Sequence, residues 1–331
     1  MRESKVKIIG RALPNIPFED RPEGSDVPVW RYSGNPVIRR NQVKGAERIF
    51  NSAVVPYKDG FAAVLRSESN AWQPHLRMGW SKDGIRFEVE DSPLDIRWLD
   101  TGKKSESITM YDPRVIRIED TYYVIWCDGV IKYCTLGLAA TTDFKTFYRY
   151  PDPMFASRNG VLFPRKVGGE YLLFSRPSDL GHTKYGDIFL SKSSDLKRWG
   201  DHKLVIESGT APWCHTKVGA GPEPIETTEG WLVFYHGVTT TCNGFVYSMG
   251  GALLDLDDPS VVRYNCKLPL LLPETQYELT GAVQNVVFPC GVLTDAVTGR
   301  IALYYGAADT ETALAFTTAE IAVDFIKSNA V

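Results

Sequence analysis

One acidic and four basic side chains carry the chemistry that this sequence offers. Asp112 precedes a proline near the start of a strand-like segment and is the candidate proton donor. Arg158, Arg176, Lys217 and His236 are large polar side chains at positions where a strand could be apolar. Burying that much positive charge is costly unless an anion compensates it, and planar guanidinium groups suit a bidentate phosphate. The set therefore predicts a phosphate site beside a single carboxylic acid.

Two simpler interpretations of the same residues compete with a phosphate site. Each arginine could pair with a nearby carboxylate and serve only as a structural clasp. A carboxylate before a proline, as at Asp112, is common in turns that have no catalytic role. The convergence of several basic groups favours the phosphate site over either of these.

The number of carboxylates separates reaction types at a glycosidic bond. An inverting hydrolase needs one acid and one base that activates water. A phosphorylase needs only the acid, because phosphate arrives as an anionic nucleophile. One carboxylate facing a basic pocket therefore predicts phosphorolysis. Most aromatic residues in this chain are expected in the core, but those that could stack on sugar faces are Trp72, Trp126, Trp213, Tyr235 and Tyr247.

A recurring pair of strands organises the chain. Five apolar, aromatic-rich runs each follow a polar or glycine turn, and a Ser/Thr-x-Asp turn follows most of them. The spacing of about 50–70 residues suits four-stranded blades with loops of unequal length. The pattern predicts an all-β, five-bladed β-propeller with its active site on the central axis, whereas a β-sandwich would give no reason for five similar repeats. The runs are residues 61–66, 122–127, 171–176, 231–236 and 301–306.

Aligning the repeats brings distant residues together. Equivalent positions on successive blades converge around the axis of a propeller, so residues far apart in sequence can form one polar cluster. Asn51, Asp112 and Asn159 fall near the start of the strand that precedes the run in their repeats. The end positions of the five runs are Arg66, Cys127, Arg176, His236 and Gly306.

Composition excludes several classes of function. The net charge of −3 and the scattered basic residues argue against a nucleic-acid partner or an anionic membrane surface. The N-terminus does not look like a signal peptide, which predicts a cytoplasmic protein whose six widely spaced cysteines are reduced. The five histidines are dispersed and no dinucleotide fingerprint occurs, so neither a metal site nor a cofactor is expected. The chain is expected to form one domain over residues 1–331, with an N-terminal extension over 1–30 and a C-terminal tail over 319–331.

Seven short motifs occur in order along the chain. They are Phe50-Asn-Ser-Ala53, Tyr111-Asp-Pro-Arg114, Arg158-Asn-Gly-Val-Leu-Phe-Pro-Arg165, Ser175-Arg-Pro-Ser-Asp179, Thr216-Lys-Val-Gly-Ala-Gly221, Tyr235-His-Gly237 and Asn285-Val-Val-Phe-Pro-Cys290. This ordered set resembles glycoside hydrolase family 130, from about Trp30 to the end of the chain. That resemblance implies a five-bladed propeller and an inverting mannoside phosphorylase that releases α-mannose 1-phosphate. The length and the segment at Gly181 resemble the subgroup acting on β-1,4-mannooligosaccharides and on β-1,4-mannosyl-N-acetylglucosamine.

The resemblance also implies a role for each matching residue. Asp112 matches the sole acid, whose proton is thought to pass through the mannosyl 3-hydroxyl. Inorganic phosphate is then a co-substrate, and a homo-oligomer is expected. The phosphate ligands match Arg158, Asn159, Arg176, Lys217 and His236. The mannosyl contacts match Asn51, Ser52, Arg66 and Asp309, and the acceptor-side contacts match Tyr111, His182, Tyr247 and Phe288.

Departures from the family pattern fall on the acceptor side. Leu180 precedes Gly181, and Lys184-Tyr185 replace the expected Pro-Phe. Cys214-His215 before Thr216 is also unusual. These differences leave the acceptor sugar open. Two alternatives also stay open: an inverting β-mannosidase, with Glu223, Asp128 or Asp179 as its base, and a sugar-binding propeller without catalysis.

Overall fold

Five sheets, antiparallel except for one short parallel pair in the second, account for most of the regular structure. The computed structural model of the protein describes residues 5–107, 109–129, 134–178 and 186–330. The sheets follow one another along the chain, and the inner strand of the first contacts the inner strands of both the second and the fifth. This closed order is a five-bladed β-propeller, as the repeats predicted, and it rules out the sandwich. No helix in the described ranges is long and apolar enough to cross a membrane.

The innermost strand of each blade lies on the axis, and the strands that follow it in the sequence lie progressively outward. The outermost strands of blades 2 and 5 come from earlier in the chain. The first strand of the chain is β1 (Trp30–Arg31). Blade 1 follows it and is formed by β2 (Arg48–Tyr57), β3 (Gly60–Glu68), β4 (Pro74–Ser81) and β5 (Glu88–Pro93). Blade 2 contains β6 (Ile96–Trp98), β7 (Met110–Ile118), β8 (Thr121–Asp128), β9 (Thr135–Thr141), β10 (Phe147–Arg149) and β11 (Met154–Phe155). Blade 3 contains β12 (Ser157–Leu162), β13 (Tyr171–Pro177), β14 (Ile188–Ser193) and β15 (Gly200–Ile206).

The last two blades complete the ring. Blade 4 contains β16 (Lys217–Ala220), β17 (Ile225–Thr227), β18 (Gly230–Thr241), β19 (Gly244–Leu254) and β20 (Val262–Asn265). Blade 5 contains β21 (Val287–Thr294), β22 (Arg300–Ala307) and β23 (Glu311–Thr318), and its outer strand is β1. Outside the sheets lie a 3₁₀ turn (Pro212–Cys214), α1 (Gln276–Leu279) and α2 (Ala319–Ser328).

The N-terminal strand closes the ring. Trp30 of β1 pairs with Phe316 of β23, so blade 5 is built from both ends of the chain. Arg31 then forms an ion pair with the fully buried Glu278 of α1, at 2.8 Å. The segment before β1, predicted as an extension, places Val6 and Ile8 in the core. The repeat pattern did not reveal this closure, because a two-residue strand carries no period.

The predicted runs are the second strands of the five blades. Each lies within β3, β8, β13, β18 or β22, and these strands are almost entirely buried. The predicted Ser/Thr-x-Asp turns link third to fourth strands, where Asp83, Asp143 and Asp195 accept hydrogen bonds from backbone amides two residues on. The cysteines form no disulfide, and all of them except Cys242 are buried.

A buried arginine joins three blades on the axis. Arg114 of β7 is 1% exposed, and its guanidinium donates to backbone carbonyls rather than to a carboxylate. Its Nε donates to the carbonyl oxygen of Gly221 at 2.5 Å, and its Nη2 donates to those of Ala220 and Pro289 at 3.3 and 3.5 Å. These bonds tie blade 2 to blades 4 and 5 next to Asp112, which precedes Arg114 by two residues on β7.

Candidate active site

Bulges in three inner strands aim the polar residues toward the axis. The pairing of the first strand with the second shifts register between Phe50 and Ala53 in blade 1, and at the matching places in blades 2 and 3. Each bulge contains one residue with a left-handed backbone, and a bulge of this kind re-aims a side chain. Asparagine and aspartate tolerate this conformation better than other non-glycine residues. The three are Asn51 (φ 48°), Asp112 (φ 53°) and Asn159 (φ 53°).

The register of the sheets confirms the alignment made from the repeats. Across the first strand pair, Phe50, Tyr111 and Arg158 stand immediately before the three bulge residues. Their partners on the second strands are Arg66, Cys127 and Arg176. His236 and Gly306 occupy the same place in blades 4 and 5, opposite Gly219 and Phe288.

These residues surround one cavity of about 510 Å³ on the axis. The predicted residues that line it come from all five blades and lie both before and after Asp112 in the sequence. They are Asn51, Arg66, Tyr111, Asp112, Arg158, Asn159, Arg176, Lys217, Tyr247, Phe288 and Asp309. The lining also includes Trp72, which was predicted only as one of several rings that could stack on a sugar. Four further lining residues were not predicted, namely Glu68, Pro74, Phe245 and Val283.

Asp112 is held by two donors on a single oxygen. Arg66 Nη1 and Asn51 Nδ2 donate to Oδ1 at 2.6 and 2.7 Å. Burial alone would raise the pKa of this carboxyl, but Arg66, Arg114 and the Asn51 amide together hold it below its usual value. Because both donors bind Oδ1, Oδ2 is the oxygen that can carry a proton toward a substrate.

A buried ion network supports the arginine that contacts the acid. Arg66 also binds the carboxylate of Glu68 through Nε at 2.9 Å, and Arg48 reaches the other Glu68 oxygen at 2.9 Å. Glu68 is 4% exposed, so both pairs are shielded from water. Arg66 and Glu68 are two residues apart on β3 and therefore share a face of the strand. That spacing was the sequence signal that could have identified Glu68.

The basic side chains line the same cavity from blades 3 and 4. Arg176 Nη1 lies 3.2 Å from His236 Nε2, and Arg158 donates to the Tyr111 hydroxyl at 2.7 Å. Lys217 is 1% exposed and its ammonium lies 4.6 Å from the centre of the Phe245 ring. Burial and the charges of Arg176 and Arg158 lower the pKa of Lys217 to about 7. Burial and the same kind of repulsion also lower the pKa of His236 well below its usual value. An anion among these side chains would relieve the repulsion.

Aromatic rings form the part of the wall next to these cations. The ring of Phe288 lies 4.3 Å from that of His236, and Tyr247 lies 6.2 Å from Phe288. His236 itself is fully buried behind Arg176 rather than on the cavity surface. It can therefore act on a bound anion by orienting Arg176.

Of the predicted site residues that the structure describes, Ser52 and His236 do not line the cavity. Ser52 is fully buried, and its hydroxyl lies 3.0 Å from that of Thr312. Its side chain turns away from the cavity because it follows the bulge residue Asn51. His182 lies outside the described residues, as do Gly181, Leu180, Lys184 and Tyr185.

Asp309 is a second titratable carboxyl in the cavity. It sits in the turn between β22 and β23, where it and Ala308 both have a left-handed backbone (φ 47°). Burial and the neighbouring Asp112 and Glu68 carboxylates raise its pKa to about 7, against the opposing influence of Arg66. Near neutral pH this group is therefore partly protonated, which suits a hydrogen bond to a sugar hydroxyl in either direction.

Two of the three carboxylates considered as a hydrolytic base, Asp128 and Glu223, do not line the cavity. Asp128 pairs with Arg149 at 2.9 Å and does not line the cavity. Glu223 also lies outside it, and burial raises its pKa to about 8. Asp179 falls outside the described residues. Within the described ranges, no group of three or more His, Cys, Asp or Glu side chains is arranged to hold a metal ion.

The chain is similar to known proteins over nearly its whole length. A family described as beta-1,4-mannooligosaccharide phosphorylase, Glyco_hydro_130, matches residues 10–328. A beta-1,4-mannooligosaccharide phosphorylase of Ruminococcus albus is 49% identical over 98% of this chain and 99% of that protein. A beta-1,2-mannobiose phosphorylase of Listeria innocua is 36% identical over 72% of this chain and 65% of that protein.

Among solved structures, the beta-1,2-mannobiose phosphorylase from Listeria innocua in complex with beta-1,2-mannobiose has a similar fold. The TM-score is 0.78 and the identity 26%, over 91% of this chain and 99% of that one. The match extends over the whole propeller, so the likeness is not confined to a few blades.

Proposed function

This chain belongs to glycoside hydrolase family 130, and from that premise we propose that it catalyses the inverting phosphorolysis of β-1,4-linked mannosides. The products are α-D-mannose 1-phosphate and an acceptor shortened by one mannosyl unit. The relative that is 49% identical over nearly the full length carries the name of a β-1,4-mannooligosaccharide phosphorylase, which supports both the reaction and the linkage.

The observation that carries the proposal is the cluster of basic side chains in the cavity that Asp112 lines. Arg158, Arg176 and Lys217 line the same cavity as the acid, and Arg176 is in contact with His236. Burial, together with the charges of Arg176 and Arg158, lowers the pKa of Lys217 to about 7. A neutral sugar offers nothing to offset this charge, whereas a phosphate dianion does.

In the proposed step the basic side chains hold phosphate, and Asp112 supplies the proton. An oxygen of phosphate, held by the basic side chains, forms a bond to the anomeric carbon from one face of the mannosyl ring. The glycosidic bond breaks on the opposite face, and its electron pair goes to the acceptor oxygen, which takes a proton that originates on Asp112. The relay of that proton through the mannosyl 3-hydroxyl remains a prediction from the family.

Phosphate also prepares the acid for this step. In the empty cavity, Arg66 and Asn51 favour the Asp112 carboxylate. A dianion bound a short distance away adds negative charge near Asp112, and a like charge favours the protonated form. Asp112 is thus expected to be protonated when both substrates are bound. No cofactor is needed, since the nucleophile is the co-substrate itself.

Incubation with β-1,4-mannobiose, with and without phosphate, tests the proposal. We expect mannose 1-phosphate only when phosphate is supplied, and a large rise in the phosphate concentration required by Arg176→Ala. A parallel reaction with β-1,2-mannobiose tests the linkage, because the Listeria relative is named for that substrate. Release of free mannose at the same rate without phosphate would refute phosphorolysis.

One observation favours the hydrolytic alternative, an inverting β-mannosidase. Asp309 lines the cavity with a pKa raised to about 7, so a second carboxyl is available to activate water. The incubation without phosphate decides between the two reactions. A cytoplasmic location, a homo-oligomeric assembly and the identity of the acceptor, whether mannooligosaccharide or mannosyl-N-acetylglucosamine, stay predictions.

A further inference from the structure

We propose that Phe245 is a positioning residue of the phosphate site, whose ring face binds the Lys217 ammonium and keeps it charged near neutral pH. This role rests on the proposed function, in which Lys217 binds phosphate. Phe245 was not predicted as a site residue. The proposal gives its ring a cation of the protein as a partner, rather than a sugar.

The strand register of blade 4 brings this ring to the lysine. Lys217 on β16 pairs with Val238 on β18, and Val238 pairs with Tyr247 on β19. Side chains at paired positions point to the same face of a sheet, and so do residues two apart on one strand. Lys217, Tyr247 and Phe245 therefore share one face of blade 4, and all three line the cavity.

Two aromatic rings lie beside the ammonium. Lys217 Nζ lies over the Phe245 ring, 4.6 Å from its centre, and over the Tyr247 ring, 5.6 Å from its centre. The two rings are arranged edge to face, with their centres 6.3 Å apart. A ring attracts a cation over its face at distances up to about 6 Å. Both rings meet this condition, and Phe245 is the closer one.

The hairpin formed by β18 and β19 holds the Phe245 ring in place. Phe245 pairs with Thr240 near the end of this hairpin. The Thr240 hydroxyl lies 2.7 Å from the hydroxyl of Thr216, which directly precedes Lys217. The hairpin that carries the ring is thus tied to the strand that carries the lysine, so the ring and the ammonium are held together.

Burial makes this contact important for the charge of the lysine. Lys217 is 1% exposed, and a cation–π contact is stronger when the cation has lost its water. Burial and the charges of Arg176 and Arg158 lower the pKa of Lys217 to about 7. The ring opposes them, because it stabilises only the protonated amine. Without the ring, we expect the pH at which half of the lysine is charged to fall by roughly 0.5 to 1.

Other titratable groups also face Lys217 or line the same cavity. The two arginines, on β12 and β13, stay charged at neutral pH. Burial and Arg176 lower the pKa of His236 on β18 well below its usual value, and burial raises the pKa of Tyr247 to about 12, so both stay neutral. Burial and nearby carboxylates raise the pKa of Asp309 to about 7. The test therefore needs a control in which Asp309 titrates and residue 217 does not.

The test measures the KM for phosphate at saturating β-1,4-mannobiose for wild type, Phe245→Leu and Phe245→Tyr. Relative to wild type, we expect the KM of Phe245→Leu to rise less than about twofold at pH 5.5 and about 3- to 8-fold at pH 7.5. The difference arises because the variant loses its charged lysine at a lower pH. Phe245→Tyr keeps a ring face and should stay within about twofold of wild type at both pH values.

Lys217→Arg provides the matched control, because its guanidinium stays charged throughout this range. In the arginine protein, Phe245→Leu should change the KM by the same factor at pH 5.5 and pH 7.5, although phosphate and Asp309 still ionise. A pH-dependent factor that persists in the arginine protein would overturn the proposal. So would an equal factor at both pH values in the protein with Lys217, since a ring that only packs would give that result.

Calorimetric titration of the protein with inorganic phosphate makes the same comparison without turnover. Phe245→Leu should weaken phosphate binding at pH 7.5 by about the same factor as it raises the KM. If wild type makes no mannose 1-phosphate but shows this calorimetric difference, the proposed function fails and the role of Phe245 stands. If wild type turns over and Phe245→Leu acts equally at both pH values, only the role of Phe245 fails. Absence of phosphate binding by wild type would overturn both.

Discussion

The Lys217 ammonium gives the proposed phosphate site a pH dependence that can be calculated. Burial and the charges of Arg176 and Arg158 lower its pKa to about 7. Phosphate favours the protonated lysine, so its binding raises this pKa, and affinity is highest below pH 7 and is lost as the pH rises through that value. With a pKa of about 7, roughly three quarters of the lysine is charged at pH 6.5 and roughly 3% at pH 8.5. The expected loss of phosphate affinity is therefore about 25-fold, or about 2 kcal/mol, over this interval.

The assay is the KM for phosphate at saturating mannoside between pH 6.5 and 8.5, for wild type and for Lys217→Arg. The arginine stays charged throughout, so the ratio of the two KM values cancels the ionisation of phosphate itself. We expect this ratio to rise about 25-fold with pH. A ratio that stays flat would refute the placement of a titrating Lys217 at the phosphate, whereas Lys217→Met should bind phosphate weakly at every pH.

Three further predictions concern the acid, the axis and the packing around them. Asp112→Asn should lower kcat by about 10²- to 10⁴-fold, the usual contribution of general acid catalysis, while calorimetry shows mannooligosaccharide binding retained; near-normal turnover would remove the assignment of the acid. Glu223→Gln should raise the thermal unfolding temperature at pH 9 but not at pH 4.5. The pKa of the Glu223 carboxyl is raised to about 8 in the folded protein, so its ionisation lowers the stability of the fold as the pH rises from about 4.5 through 8. An equal effect of the substitution at both pH values would contradict this. Gly306→Ala should lower kcat/KM, because a methyl group there collides with the side-chain oxygen of Asn51, whose amide binds Asp112. Gly200→Ala, with open space around it, is the control. Equal activity of the two variants would refute the packing argument.

The fold could be predicted because the blades repeat. Each second strand is a buried apolar run that follows a turn, so the repeat was visible without any long-range information. The same alignment placed Arg66, Arg176 and His236 at one level of the ring, and the sheet register confirmed it. The closure of the ring by β1 was not predictable, because two residues carry no periodicity and the pairing spans almost the whole chain.

The site was predicted less completely than the fold. Sequence identified the charged groups, but it could not show which way each side chain turns after a bulge. Ser52, adjacent to Asn51, turns away from the cavity for that reason. Glu68 was not predicted, although its spacing from Arg66 was visible in the sequence, and Trp72 was predicted only as one of several rings that could stack on a sugar. The contacts of both residues with Arg48 come from tertiary packing, which the sequence does not show. The protonation of Lys217 and Asp309 likewise depends on burial and on charges brought from other blades.

The central claim is that phosphate, held opposite Asp112, attacks the anomeric carbon in place of water. The most direct measurement follows the early products from β-1,4-mannobiose by nuclear magnetic resonance, in water enriched in oxygen-18 with phosphate present. We predict α-mannose 1-phosphate as the first product, with no oxygen-18 in the mannosyl group. Free mannose carrying oxygen-18 at its anomeric carbon, or β-mannose 1-phosphate, would contradict it.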